Sequence, residues 1–245
     1  MGCCRVILEV QQQGQNLAVI YKELDPFEAK AQEQMAYYLR RAFGSSGEVD
    51  VINGLVLRSG DIRAQMHHLV IHSYGLLLIE NVAVRGTINI EADWQWVNMH
   101  RGVAKPMRSP VTEIKLQALA LEAFLDKKVK QKSFFHSLEL DVLVAVPDTR
   151  AIQWAEGGAF PEVCNADQVP TRVIDRVAQC GHDAGKPGKL VPEQRRRLAE
   201  FLRASHKILP RLVPSADDPL STRGSELGPM SGPTWAPSSR ISDLG

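Results

Sequence analysis

Two short apolar runs near the middle of the chain constrain its fold more than any other stretch. Leu69–Ile71 and Leu76–Ile79 are separated only by His72–Gly75, a polar segment that ends in glycine. Apolar runs of this length, broken by a glycine-containing turn, are typical of buried β-strands joined in a hairpin. The sequence therefore predicts two adjacent buried strands at the centre of the fold.

Polar side chains flank this hairpin where it joins the rest of the chain. His67 and His68 precede the first strand, and Glu80 closes the second. Because the two strands of a hairpin run antiparallel, its entry and its exit lie at the same edge of the sheet. We therefore expect any metal or substrate site at this edge. His67, His68 and His72 also fit ordinary polar positions in a strand or turn.

The segments around the hairpin predict a helix, several strands, a second long helix and a further strand. Asp25 and Pro26 are favoured residues at a helix start, and the polar run 44–47 ends that helix. The predicted elements are a helix over 26–43, strands over 48–57, 82–90 and 94–97, a helix from Ser109–Pro110, and a strand over 140–146. This order indicates an α/β fold with a mixed, largely antiparallel central sheet flanked by helices.

Composition divides the chain into four parts. Residues 1–18 carry little signal beyond a possible strand over Arg5–Val10, and residues 19–155 hold the predicted α/β domain. Residues 156–209 predict a loosely attached region with helices over 170–179 and 192–209. Residues 210–245 are rich in Pro, Ser and Gly. They contain too few apolar groups to offset the entropy lost on ordering, so we expect a disordered tail.

Charge gives no whole-chain indication of a partner, since 29 basic and 28 acidic residues leave a net charge of +1. A local basic face is predicted on the last helix, where Arg195, Arg196, Arg197 and Arg203 could follow a phosphate backbone. No aromatic residues alternate with these arginines, and an ordinary solvated helix face also explains them. DNA and a protein are both retained as expected partners.

Cysteine usage and hydropathy indicate a cytoplasmic protein. Cys3, Cys4, Cys164 and Cys180 form no C-x-x-C pair, and His182 does not complete a zinc site with the last two. Free thiols fit a reducing compartment. The first residues do not have the pattern of a secretory signal, and no apolar run approaches the ~20 residues that span a bilayer. We expect no membrane partner.

Several motifs occur in the order found in a known protein family. Gln65–Val70 reads QMHHLV where the family has QIDHLV, and Tyr74–Glu80 reads YGLLLIE where the family has YGxxxIE. The helix around Glu33, the residue Trp94 and the segment Ser109–Glu113 match further family features. Over about residues 22–154 the chain resembles the nuclease-related domain (NERD) family of the PD-(D/E)xK superfamily. The resemblance implies a restriction-endonuclease-like core, Mg²⁺ as cofactor and phosphodiester hydrolysis as the ancestral activity.

The residues that carry catalysis in that family are largely replaced here. The resemblance places the family's metal-binding aspartate at His67, its lysine at Val82 and its helix glutamine at Glu113. Glu80 and Glu33 remain of the polar set. A valine cannot orient water or stabilise developing charge, and a lost carboxylate weakens binding of Mg²⁺, which prefers oxygen ligands. The resemblance therefore implies a catalytically impaired domain that acts in nucleic-acid or protein binding.

Two alternatives keep a working site open. The lysine could lie on another element, with Lys115 on the next helix or Lys105 before it as candidates. Glu80, His67 and that lysine would then form an active metal-dependent nuclease that uses Mg²⁺ or Mn²⁺. Alternatively, His67 and Glu80 could bind Zn²⁺ or Mn²⁺ with His68 or Glu33 as the third ligand, because imidazole suits these ions.

Overall fold

A computed structural model describes residues 7–9, 26–91, 93–129, 138–155, 160–184 and 190–207. The predicted Asp25 cap, most of segment 1–18 and the predicted disordered tail 210–245 lie outside the described residues. The described residues all belong to one compact unit. Among them, no helix combines the length and the apolar character needed to cross a membrane.

The described part of the chain contains four α-helices and ten β-strands. The helices are α1 (Pro26–Phe43), α2 (Pro110–Lys128), α3 (Val169–Ala184) and α4 (Pro192–Ala204), with one 3₁₀ turn at Ala166–Gln168. The strands are β1 (Ile7–Glu9), β2 (Asp50–Ser59), β3 (Ile62–Ile71), β4 (Gly75–Asn81), β5 (Thr87–Ile90), β6 (Trp96–His100), β7 (Val103–Met107), β8 (Glu139–Val146), β9 (Ile152–Trp154) and β10 (Val163–Asn165). The bounds of α1 and the start of α2 agree with the predictions. Ser109 caps α2, because its hydroxyl accepts a hydrogen bond from the Thr112 amide.

The predicted hairpin forms β3 and β4 of a six-stranded sheet with the order β1-β2-β3-β4-β8-β10. The two strands pair antiparallel, and backbone hydrogen bonds between His72 and Gly75 close the turn. This confirms the mixed α/β fold flanked by helices. Three of the five pairings are nevertheless parallel, whereas the sequence predicted a largely antiparallel sheet. The central parallel pairing, of β4 with β8, arises because α2 carries the chain back across the sheet, a connection that parallel neighbours require.

A second, four-stranded sheet with the order β7-β6-β5-β9 was not predicted. The predicted strand over 82–90 is present only as β5, because the chain turns between the two sheets at Gly86, with a φ of +123°. A Cβ at this glycine would lie 2.1 Å from the carbonyl oxygen of Met99, so no other residue fits without displacing the backbone. The predicted strand over 94–97 likewise begins only at Trp96.

Helices cover both faces of the first sheet. On one face, α1 and α3 share an apolar cluster with β4 that includes Met35, Leu39, Val173, Leu77 and Ile79. On the other face, α2 and α4 share a second cluster with β4 that includes Ile114, Leu121, Leu202, Leu76 and Leu78. Because successive strand residues face opposite sides, the four apolar residues of β4 fill both clusters. This explains why the central strand of the fold is apolar on both sides.

Helix α4 is part of the core, whereas the sequence predicted a loosely attached region. Its residues Leu198, Ala199 and Leu202 are buried against the first sheet. Beyond the helix, the amide of Lys207 donates a hydrogen bond to the carbonyl oxygen of Val56 in β2, at 2.9 Å. The C-terminal region therefore completes the same core as the predicted α/β domain.

Candidate functional site

Strands β2 and β3 bend at the predicted site. Met66 and Leu69 of β3 belong to the same apolar cluster, although strict alternation would place residues three apart on opposite faces. In β2, Ile52 and Leu55 are also three residues apart and belong to this cluster. Gly54 lies between them, with a φ of +66°. A left-handed residue inside a strand marks an irregularity that increases the local twist. The pairing of the two strands skips Gly54 and His67, so His67 lies at this irregularity while His68 stays paired with Asn53.

His67 lies between two glutamates. Its Nε2 atom is 3.6 Å from Oε1 of Glu28, and its Nδ1 atom is 3.4 Å from Oε1 of Glu80. Glu28 is in the first turn of α1, where the positive end of the helix dipole favours a carboxylate, and Glu80 is near the end of β4. Only 12% of the His67 side chain is exposed. Glu28, His67 and Glu80 are called the His67 cluster below.

Hydrogen bonds around His67 indicate where its protons lie. The backbone N–H of Asn81 donates to Nδ1 at 3.1 Å, so the neutral ring carries its proton on Nε2, towards Glu28. A second proton would lie on Nδ1, where it would replace the hydrogen bond from the Asn81 amide by a contact with Glu80. Burial lowers the pKa of His67, but contact with Glu28 and the charges of Glu80 and Glu28 outweigh burial and raise the pKa above 6.5. Burial raises the pKa of Glu80, and His67 opposes that rise. The charged imidazole is therefore the counter-charge to this pair of carboxyl groups.

His68 belongs to a buried polar chain that crosses three strands. Its Nδ1 atom lies 2.7 Å from Oδ1 of Asn53 in β2, and its Nε2 atom lies 2.8 Å from Nδ2 of Asn81 in β4. The amide oxygen must accept and the amide nitrogen must donate, so His68 is neutral with its proton on Nδ1. Burial and the neighbouring His67 lower the pKa of His68 to about 3. Asn81 therefore connects the two histidines, through its backbone to His67 and through its side chain to His68.

Replacing His67 by glutamine is expected to lower the free energy of unfolding by about 1–2 kcal/mol at pH 6, because the two carboxyl groups lose their counter-charge. The raised pKa of His67 means that its contribution is fully present below pH 6.5 and is lost as the pH rises through the folded pKa. The difference between the wild type and His67→Gln should therefore shrink towards pH 9. Urea denaturation at pH 6, 7.5 and 9 measures it, and a pH-independent difference would contradict this assignment.

The other predicted site residues do not join the His67 cluster. Glu33 is exposed on α1, and among the described residues it has no hydrogen bond or ion pair; the carboxylate that α1 supplies is Glu28. Lys115 forms an ion pair with Glu162 at 2.8 Å instead of approaching Glu80. Within the described residues, no hydrogen bond or ion pair connects a lysine to the cluster.

The positions of the family's lysine and glutamine also differ in their surroundings. Val82 is only 4% exposed and packs in the apolar cluster beneath α2, so its position is part of the core. Glu113 lies in the first turn of α2, 4.0 Å from Arg108, and its charge contributes to the raised pKa of Glu80 after burial. The cluster thus has a third carboxyl group nearby, and among the described residues its two glutamates pair with no cation except His67.

The predicted basic face on α4 is mostly neutralised or buried. Arg195 is 4% exposed, and its guanidinium donates to Ser73 Oγ at 3.0 Å and to the carbonyl oxygen of Gly47 at 2.6 Å. Its Nε atom lies 3.5 Å from Asp50. This burial corrects the prediction that Arg195 contacts a phosphate, because the side chain is already committed to the core.

The other arginines of α4 reach solvent. Arg196 and Arg197 both pair with Glu193, one helical turn away. Arg203 is exposed and has no ion pair among the described residues. Because one carboxylate faces two guanidinium groups, that trio keeps a net positive charge, and Arg203 is the one predicted contact on this helix without an ion pair to a described residue.

Truncating Arg195 to alanine is expected to lower the free energy of unfolding by about 3 kcal/mol, since it leaves the buried Asp50 and two hydrogen-bond acceptors without their donor. Arg203→Ala should change it by less than ~0.5 kcal/mol, as is usual for an exposed side chain. Thermal unfolding of the two variants tests the contrast. Equal stability of both variants would show that Arg195 has no structural role.

A basic pocket next to the His67 cluster was not found from the sequence. It has a volume of about 580 Å³ and is lined in part by Phe27, Arg85, Arg101 and Lys105. Phe27 directly precedes Glu28, so the pocket and the cluster are neighbours at the start of α1. The available signal was Gly102, because glycine favours the left-handed backbone of a two-residue hairpin turn.

A family-type Mg²⁺ site does not fit these residues. Mg²⁺ requires near-octahedral oxygen ligands, whereas the imidazole of His67 lies between the two carboxylates and occupies the space that an ion would need. In the part of the chain that the structure describes, no group of three His, Cys, Asp or Glu side chains is arranged to hold a metal ion. The predicted Mg²⁺ or Mn²⁺ centre therefore has no support from this geometry.

The sequence of residues 28–144 matches the family model of the nuclease-related domain. These residues form a nuclease-related (NERD) domain. The match begins at Glu28 and ends at Val144 in β8, so it includes the whole His67 cluster. Strand β10 and helices α3 and α4 lie beyond the matched residues, although they complete the core of the NERD domain. Comparison with curated proteins and with solved structures gave no match.

Proposed function

We propose that this NERD domain is a catalytically impaired relative of the PD-(D/E)xK nucleases and that it binds nucleic acid. The observation that carries the proposal is the position of His67, between Glu28 and Glu80, where the family motif has a metal-binding aspartate. Hydrolysis by this class needs carboxylates that hold a metal ion and a group that orients the attacking water. Here the imidazole fills the space between the carboxylates, and the lysine position is the buried Val82.

Nucleic-acid binding is supported by basic side chains beside the His67 cluster. Arg85, Arg101 and Lys105 are exposed, and none of them forms an ion pair with another described residue. Cations that are not neutralised locally can release counterions from a phosphate backbone, which is the main source of affinity for nucleic acid. The basic pocket is therefore a better phosphate-binding surface than α4.

Fluorescence anisotropy with a 20-base-pair DNA duplex in EDTA tests this function. Three phosphate contacts predict that the affinity falls roughly 40-fold between 50 and 200 mM NaCl, since each contact contributes about −0.9 to the slope of log K against log salt. EDTA removes any contribution of a divalent metal. Absence of binding at 50 mM NaCl, or binding that does not depend on salt, would exclude the proposed function.

A further inference from the structure

The hairpin of β6 and β7 forms one wall of the basic pocket. Arg101 and Gly102 connect the strands with φ angles of +52° and +77°, the left-handed pair that a two-residue type I′ turn requires. The turn places Arg101 at the tip and leaves Val103 and Lys105 on β7, an edge strand. Opposite them, Phe27 from the start of α1 and Arg85 from the segment after β4 complete the pocket.

The pocket has the charge expected for an anion site. Three of its lining residues are Arg85, Arg101 and Lys105, His100 is a fourth basic side chain, and the described lining contains no Asp or Glu. All four side chains are exposed and have no ion pair with a described residue. Arginine and lysine in a concave site raise the local concentration of anions and donate several hydrogen bonds to phosphate oxygens.

The pocket also has a flat, partly apolar wall. The guanidinium of Arg85 lies over the ring of the half-buried Phe27, 4.1 Å from its centroid. Val103 is 66% exposed and adds apolar surface to the lining of the pocket. Aromatic rings and arginine planes are the surfaces on which nucleobases stack in proteins that bind unpaired nucleotides. A wall of this kind beside a basic rim fits a ligand with one planar and one anionic part.

We propose that the basic pocket binds one nucleoside phosphate, with the base near Phe27, Arg85 and Val103 and the phosphate near Arg101 and Lys105. The volume of about 580 Å³ lies within the usual range for small-molecule sites. This inference rests on the proposed nucleic-acid binding and names the chemical unit that the pocket receives. The nucleoside phosphate can be a free nucleotide or an unpaired nucleotide of a strand.

Isothermal titration calorimetry of the full chain in EDTA distinguishes base from phosphate recognition. Adenosine monophosphate is expected to bind at least tenfold more tightly than ribose 5-phosphate or adenosine. Arg101→Glu and Lys105→Glu should each weaken binding of adenosine monophosphate at least tenfold. Phe27→Leu should weaken it several-fold while leaving the affinity for ribose 5-phosphate unchanged. Arg58→Glu, at an exposed arginine of β2 outside the pocket, is the control and should bind like the wild type.

Competition separates the two sources of the ligand and keeps this proposal distinct from the function above. Displacement of adenosine monophosphate by a single-stranded octanucleotide supports a strand as the source, and binding without displacement supports a free nucleotide.

Equal affinity for adenosine monophosphate and ribose 5-phosphate would overturn the proposal. So would salt-dependent binding of duplex DNA without any binding of adenosine monophosphate, a result that leaves the proposed function standing. Binding of adenosine monophosphate without any binding of DNA would instead exclude the proposed function.

Discussion

Lowering the pH from 7 to 5 is expected to destabilise the NERD domain, with roughly 4 kcal/mol contributed by His68 and His72 together, because each is buried in the neutral form. Burial and the neighbouring His67 lower the pKa of His68 to about 3. Burial, assisted by Arg195 and opposed by Asp141, lowers the pKa of His72 to about 4. The pKa of each of these histidines is lower in the folded than in the unfolded state. As the pH falls, the unfolded chain therefore binds the proton first, which favours unfolding. Stability is therefore lost as the pH falls from 6.5 towards those values, by about 2 kcal/mol for each histidine at pH 5.

Urea denaturation at pH 7, 6 and 5 measures this loss, with His68→Gln as the matched variant. Glutamine keeps a donor and an acceptor between Asn53 and Asn81 but cannot titrate, so the variant should lose only about half as much stability between pH 7 and 5. His67 acts in the opposite sense, and its raised pKa reduces the net change in both proteins. Equal stability of the wild type at pH 7 and 5, or an equal loss in His68→Gln, would contradict the neutral, buried state of His68.

Replacing Gly75 by alanine is expected to lower the free energy of unfolding by about 4 kcal/mol, more than the ~1–3 kcal/mol usual for an added core methyl group. A Cβ at this position would lie 2.0 Å from the carbonyl oxygen of Glu139. Gly75 and Glu139 are the first partners in the parallel pairing of β4 with β8. The obstructing atoms belong to the backbone, so β4 and β8 must separate next to the turn of the predicted hairpin. Chemical denaturation, or the yield of folded protein if the variant does not accumulate, measures the effect.

Gly54→Ala is the matched control for this substitution. Gly54 has a φ of +66°, but nothing lies within 4 Å of the position of its Cβ. The expected loss is therefore limited to the strain of a left-handed alanine, about 1–2 kcal/mol. If both variants lose the same stability, close approach of the β4 and β8 backbones is not what requires glycine at position 75.

The sequence predicted the elements whose signals are local. The start of α1 follows from Pro26 and its end from the polar run 44–47, and the strands of the hairpin follow from two uninterrupted apolar runs. Val82–Gly86 also carries alternating apolar residues, yet it forms no strand. There the apolar side chains fill the core between two sheets, and periodicity alone does not distinguish this arrangement from a continuous strand.

The composition of the candidate site depended on contacts that local patterns do not encode. Glu33 was predicted from its place in a family motif, but His67 lies next to Glu28, in the first turn of α1. The basic pocket combines Phe27 with Lys105, residues from α1 and β7 that lie far apart in sequence. Only the packing of the second sheet beside α1 brings them together.

Plasmid cleavage in Mg²⁺ or Mn²⁺ is the most direct test of whether the His67 cluster has replaced a catalytic metal centre. Purified wild-type protein and the Glu80→Ala variant would be incubated with supercoiled plasmid DNA, and nicked and linear products would be quantified over time. Because His67 lies between the two carboxylates and Val82 is in the core, the wild type is expected to cleave no faster than Glu80→Ala. Cleavage by the wild type that is lost in Glu80→Ala would contradict catalytic impairment and identify an active nuclease.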